Sequence, residues 1–98
     1  MVVEELTKLV LEKATEMDRL CSQRKDLNYQ TMNLEIIEPI NKELQKIKSS
    51  TLERYEVGYI EKLNNYIDGL NNLSREEKAK YNTLTLKEEV HKLRDLIV

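Results

Sequence analysis

The sequence predicts an all-α fold in which a long, kinked helix packs antiparallel on two or three shorter helices as a bundle or coiled-coil hairpin. Three observations carry this expectation. Apolar residues recur alternately three and four apart over positions 3–34. Ser or Thr stands three residues before Glu at several places where an apolar helix stripe begins. No stretch alternates with a period of two over a useful length, so strands are not expected.

The first helix is expected over about 3–36, a rod of about 50 Å at roughly 1.5 Å per residue. Val3, Leu6, Val10, Met17, Leu20, Leu27 and Leu34 take the seam positions of a heptad, interrupted by Lys13, Arg24 and Thr31. With Arg24 included, the same residues form the candidate interface with a partner chain. Arg24 either sets register there or drifts to the edge as a straight helix rotates against the heptad. Leu34, Ile37 and Ile40 then follow at two successive spacings of three, and Pro39 falls in this stretch. Proline removes a helical hydrogen bond and disfavours helical geometry in the preceding residue, so a kink or break near 36–39 is expected, or a new helix over 39–48.

Ser50 with Glu53 marks a third start, for a helix over 51–72 that carries Tyr55, Tyr59, Leu63, Tyr66, Leu70 and Leu73 on its apolar side, flanked by Ile60 and Ile67. This helix is the expected antiparallel neighbour of the first. Its tyrosines read as core or as an interface ridge. Gly58, inside it, marks an exposed position or a close approach of another backbone. Ser74 with Glu77 begins a short helix over 75–82. Thr85 with Glu88 begins the last, over 86–97, with Leu86, Val90, Leu93 and Ile97 on one face. All of this suits one helical domain spanning 1–98.

Composition narrows the function. Hydrophobic residues make up 40% of the chain and charged ones 35%, and each half (1–49 and 50–98) holds eight Lys or Arg against nine Asp or Glu. Without clustered positive charge, nucleic acid is not an expected partner. Cys21 is the single cysteine, which suits a reduced thiol and a cytoplasmic compartment. Apolar runs of two or three residues rule out a membrane span or a signal peptide within this sequence, and surface adsorption is not favoured on a polar face of mixed sign.

Reactive constellations are missing from the pattern. His91 is the only histidine, so neither a zinc site nor an oriented general base is expected. Glu4-Glu5, Glu76-Glu77 and Glu88-Glu89 all fall in first turns of expected helices, where carboxylates meet the positive end of the helix dipole. Two glycines do not make a phosphate-binding loop. The reading is a non-enzymatic protein-interaction module without cofactor, metal or small-molecule substrate, whose partner is a second copy or another helical chain.

Two resemblances bear on which interaction. Ile37-Glu38-Pro39-Ile40-Asn41-Lys42-Glu43-Leu44, Ser50-Thr51-Leu52 and Tyr59-Ile60-Glu61-Lys62-Leu63, within about 27–73, resemble a coiled segment near the amino end of the third subunit of the conserved oligomeric Golgi complex. That likeness implies a scaffold subunit of a vesicle-tethering assembly. Asn41-Lys42-Glu43-Leu44 and the Leu86, Val90, His91, Leu93 rhythm resemble the BAG domains that bind seventy-kilodalton heat-shock chaperones. This second likeness implies a regulatory domain acting through its last helices, with Lys87, His91 and Arg94 as the alternative interface.

Overall fold

The computed structural model describes residues 2–47 and 53–97, and the described residues form an all-α globule of five helices without strands. Its principal extents are 41 × 27 × 19 Å, so the longest axis is shorter than the 50 Å rod expected of an unbroken first helix. The chain instead divides that segment and folds it back on itself.

α1 spans Val2–Gln23. Its inward face runs through Val3, Leu6, Val10, Ala14, Met17 and Cys21, five steps that cover 18 residues, or 3.6 per step. That is the period of a straight helix against its own domain, not the 3.5 of a supercoiled seam. The stripe therefore leaves the heptad positions as it advances: Ala14 is inward in place of Lys13, and Cys21 lies deeper than Leu20. The expected continuation to 36 fails because Arg24, Lys25 and Asp26 interrupt the apolar pattern. Arg24 lies outside any helix, exposed, with its guanidinium donating two 2.9 Å hydrogen bonds to Asp26. It sets no register between helices.

Asn28 then caps a new helix. Its side chain accepts from the Thr31 N–H at 3.3 Å, while the Thr31 hydroxyl accepts from the Asn28 N–H at 3.4 Å. This helix, α2 (29–45), is continuous through Pro39 in three pieces: α-helical Tyr29–Met32, a π turn over Asn33–Ile37, and α-helical Glu38–Gln45. The Glu38 N–H reaches the Asn33 carbonyl, one residue farther back than in an α-helix. The expected break near 36–39 is thus a widened turn. Its extra residue brings both Ile36 and Ile37 into the core with Met32, Ile40 and Leu44, and it leaves Leu34 outside. Pro39 stands directly after the wide turn, in the first turn of the following α-helical piece.

α3 spans Arg54–Asn71, and its inward face is Glu56, Ile60, Leu63, Ile67 and Leu70. The expected tyrosine ridge flanks this face. Tyr59 and Tyr66 are half-buried, and Tyr55 is exposed. Glu56 is buried because its carboxylate turns back to accept the Glu53 N–H at 2.8 Å at the start of the helix. The expected Ser50 cap lies outside the described residues. Gly58 resolves as an exposed position: a Cβ added there, or at Gly69, meets nothing within 4 Å. Gly58→Ala and Gly69→Ala are each expected to raise stability by about 0.5–1 kcal/mol, read as a higher urea midpoint.

α4, Arg75–Ala79, starts as expected. Ser74 accepts the Glu77 N–H at 3.1 Å, and Glu77 accepts the Ser74 N–H at 3.2 Å. These hydrogen bonds hold the Glu77 carboxyl below its ordinary pKa. α5, Thr83–Asp95, starts earlier than the Thr85 box implied, because Asn82 accepts the Thr85 N–H at 3.1 Å and takes the capping role. Glu88 and Glu89 consequently leave the first turn. Helix ends close by tight i to i+3 hydrogen bonds, such as Ile47 N–H to Leu44 and Tyr81 N–H to Lys78, both 3.2 Å, and no described residue has a positive φ. The turns need no glycine.

α1 packs mainly on α5, and not on the 52–73 helix as expected. The pair is antiparallel: Cys21 meets Thr83 at the start of α5, and Asp18, one turn earlier, reaches Arg94 near its end. α2 lies against α1 and brings α3 with it, and α1 touches α3 through the Thr7 hydroxyl, which donates to the Tyr59 hydroxyl at 3.2 Å. One contiguous core, drawn from α1, α2, α3 and α5, results.

Candidate functional site

Thr83 ties three segments together. Its hydroxyl accepts the Leu27 N–H at 3.3 Å and donates to the Arg24 carbonyl at 3.4 Å, while its own carbonyl accepts the Cys21 thiol at 3.7 Å. The end of α1, the 24–28 linker and the start of α5 are thereby held together. Between them opens a groove of about 470 Å³ lined by Cys21, Lys25, Asn82, Thr83, Leu84 and Lys87.

The groove combines an exposed apolar side chain with two lysines over a cysteine. Leu84 stands 73% exposed in the first turn of a helix that buries Leu86, Val90 and Leu93. Lys25 and Lys87 are exposed, and among the described residues neither has an ion-pair partner. The nearby acids are engaged otherwise: Asp26 by Arg24, and Asp18 by Arg94 at 3.8 Å. Cys21 lies at the base with its thiol pKa pushed up, chiefly by burial and then by the Asp18 carboxylate, against a smaller opposing effect of Lys87. A thiol held protonated is a poor nucleophile.

The residues named by the sequence separate into two groups. Of the candidate seam, Leu6, Val10, Met17 and Leu27 are buried in the chain's own core, and Val3 and Leu20 are half-buried against it. Only Arg24 and Leu34 are exposed. The seam is thus unavailable to a partner while the chain is folded this way, because α5 and α2 already cover it. Lys87, His91 and Arg94, by contrast, recur at four and three residues along one outward strip of α5, with Lys87 and His91 exposed and Arg94 half-buried beside Asp18. Lys25, Asn82 and Leu84 join this strip without having been singled out by the sequence. The available signals were the Arg24-Lys25-Asp26 interruption and the Asn28 and Asn82 capping patterns.

A second polar cluster lies across α3 and α5. Glu89 is 5% exposed, accepts the Tyr66 hydroxyl at 2.7 Å and pairs with the exposed Lys92 ammonium at 3.2 Å. Burial, then the Glu89 carboxylate, push the Tyr66 phenol far above its ordinary pKa. Near it, Tyr29 meets Tyr81 edge to face at 5.3 Å and donates to the Leu70 carbonyl at 2.7 Å, with the Lys78 ammonium 5.1 Å from its ring centre. These contacts join α2, α3, α4 and α5, and they read as structural.

Among the described residues no group of three or more His, Cys, Asp or Glu converges as a metal site, and no helix is long and apolar enough to cross a membrane. No family model, curated protein or solved structure matches the chain.

Proposed function

We propose that this chain is a self-contained, non-enzymatic helical module that binds another protein through the outer strip of its last helix. The observation that carries the reading is the division of the two candidate surfaces. The apolar stripe suited to zipping with a partner is covered by α2 and α5, while Lys87 and His91 face outward beside the exposed Leu84. The BAG-like resemblance implies contact at this same end of the chain. Assembly through the coiled segment, as the Golgi-tether resemblance implies, requires α1 to leave α5 and expose Leu6, Val10 and Met17 to solvent. Burying each such side chain is worth about 1.5–3 kcal/mol, so that route is costly. A place within a larger cytoplasmic assembly suits this reading, with a reduced Cys21.

The triple variant Lys87→Ala, His91→Ala, Arg94→Ala tests it. The only ion pair it removes among the described residues, Arg94 with Asp18, is solvent-exposed at about 40% on both sides, and such pairs contribute about 0–1 kcal/mol. The expected result is an unchanged circular dichroism spectrum and melting midpoint, with loss of a protein retained by the wild-type chain on an affinity matrix. Equal retention by the variant contradicts the reading.

A further inference from the structure

We propose that the groove between the 24–28 linker and the start of α5 is a docking site for an acidic peptide segment of a partner protein, one apolar side chain seated against Leu84 and flanking carboxylates on Lys25 and Lys87. The proposal rests on the interaction-module reading and names the partner's chemistry. Its volume, about 470 Å³, is within the range of pockets that take a few side chains. Its base is Cys21, a thiol held in its neutral form, and the exposed Leu84 offers apolar area at its rim.

Charge complementarity decides the occupant. The two walls each contribute one lysine, Lys25 from the linker and Lys87 from α5, and no carboxylate lines the groove. Both ammonium groups lack an ion-pair partner among the described residues, whereas Arg24 and Arg94 just outside are neutralised by Asp26 and Asp18. The first turn of α5 carries no acidic residue either, unlike those of α1, α3 and α4, so the positive end of its dipole adds to the same field. A partner bringing carboxylates around an apolar side chain satisfies all of these at once. A basic segment is repelled, and a purely apolar one leaves both lysines without partners.

The test is a heteronuclear NMR titration of the full chain with a capped synthetic peptide that carries a leucine pair between glutamates. Saturable shifts centred on Lys25, Leu84 and Lys87 are expected. Affinity should fall by about tenfold or more with serine in place of leucine, with lysine in place of glutamate, or in the Lys25→Glu, Lys87→Glu and Leu84→Ser variants. These side chains are exposed or half out of the fold, so the variants should keep the wild-type spectrum elsewhere. Equal shifts from the lysine or serine peptide overturn the proposal, as does an absence of shifts up to millimolar peptide. Binding to phosphatidylserine vesicles that is lost in the Lys25→Glu, Lys87→Glu variant overturns it in favour of a lipid surface. Saturable peptide shifts at another surface overturn the groove and leave the interaction-module reading standing, whereas equal partner retention by the triple-alanine variant fails that reading itself.

Discussion

Met17→Asp is expected to unfold the chain, and Leu34→Asp, in the same sequence stripe, is expected to leave it folded. Met17 is 1% exposed and faces Met32, Ile36, Leu86, Val90 and Leu93, where α1, α2 and α5 meet. Losing the methionine packing alone costs about 2–5 kcal/mol, and a carboxylate without a partner at that point adds several more. Domains of this kind are stable by about 5–15 kcal/mol in total, so little or nothing remains. Leu34 is 53% exposed on the outer side of the π turn, where a charge should change stability by no more than about 0.5 kcal/mol. Urea denaturation of the two variants separates a straight helix packed within its own domain from a heptad seam: a seam demands that both substitutions be severe.

The second large effect is expected at the Tyr66 and Glu89 pair. Tyr66→Phe removes the 2.7 Å hydrogen bond and leaves a carboxylate that is 5% exposed with the Lys92 ammonium as its remaining side-chain partner. Leaving a buried acceptor short of a donor costs about 1–3 kcal/mol, and Lys92, being well exposed, recovers little of it. The same geometry fixes a pH dependence. The folded chain raises the phenol pKa, so the contribution of the neutral phenol is complete below the ordinary tyrosine value near 10 and is lost as the pH climbs above it. In an alkaline titration of phenolate absorbance, Tyr66 should therefore ionise together with unfolding. A Tyr66 that ionises while the chain stays folded contradicts this arrangement.

Much of the architecture was legible from local signals. Ser74 and Glu77 form the capping box their spacing implied, and Leu86, Val90 and Leu93 take the inward face expected of the last helix. Tertiary features were not legible in the same way. Val3, Leu6, Val10 and Met17 satisfy both a 3.5 and a 3.6 period over so few turns, and only the burial of Ala14 and Cys21 distinguishes the two. A π turn before a proline looks like a helix break in sequence, since both disturb the spacing of apolar residues at Leu34, Ile37 and Ile40. Which helix covers α1 depends on Thr83, whose hydrogen bonds to residues 56 and 59 positions away have no local signature. The groove shares that origin. Lys25 and Leu84 are ordinary surface residues in sequence and become neighbours only when the linker is pinned to α5.

A long apolar stripe consumed within one chain leaves the outer strip of α5 for a partner. Solution molar mass by light scattering over a hundredfold dilution tests it most directly. The expected result is a concentration-independent mass of 11.6 kDa, that of a single chain. A dimer that dissociates on dilution with loss of helix would mean instead that the stripe of α1 belongs to an interface between chains.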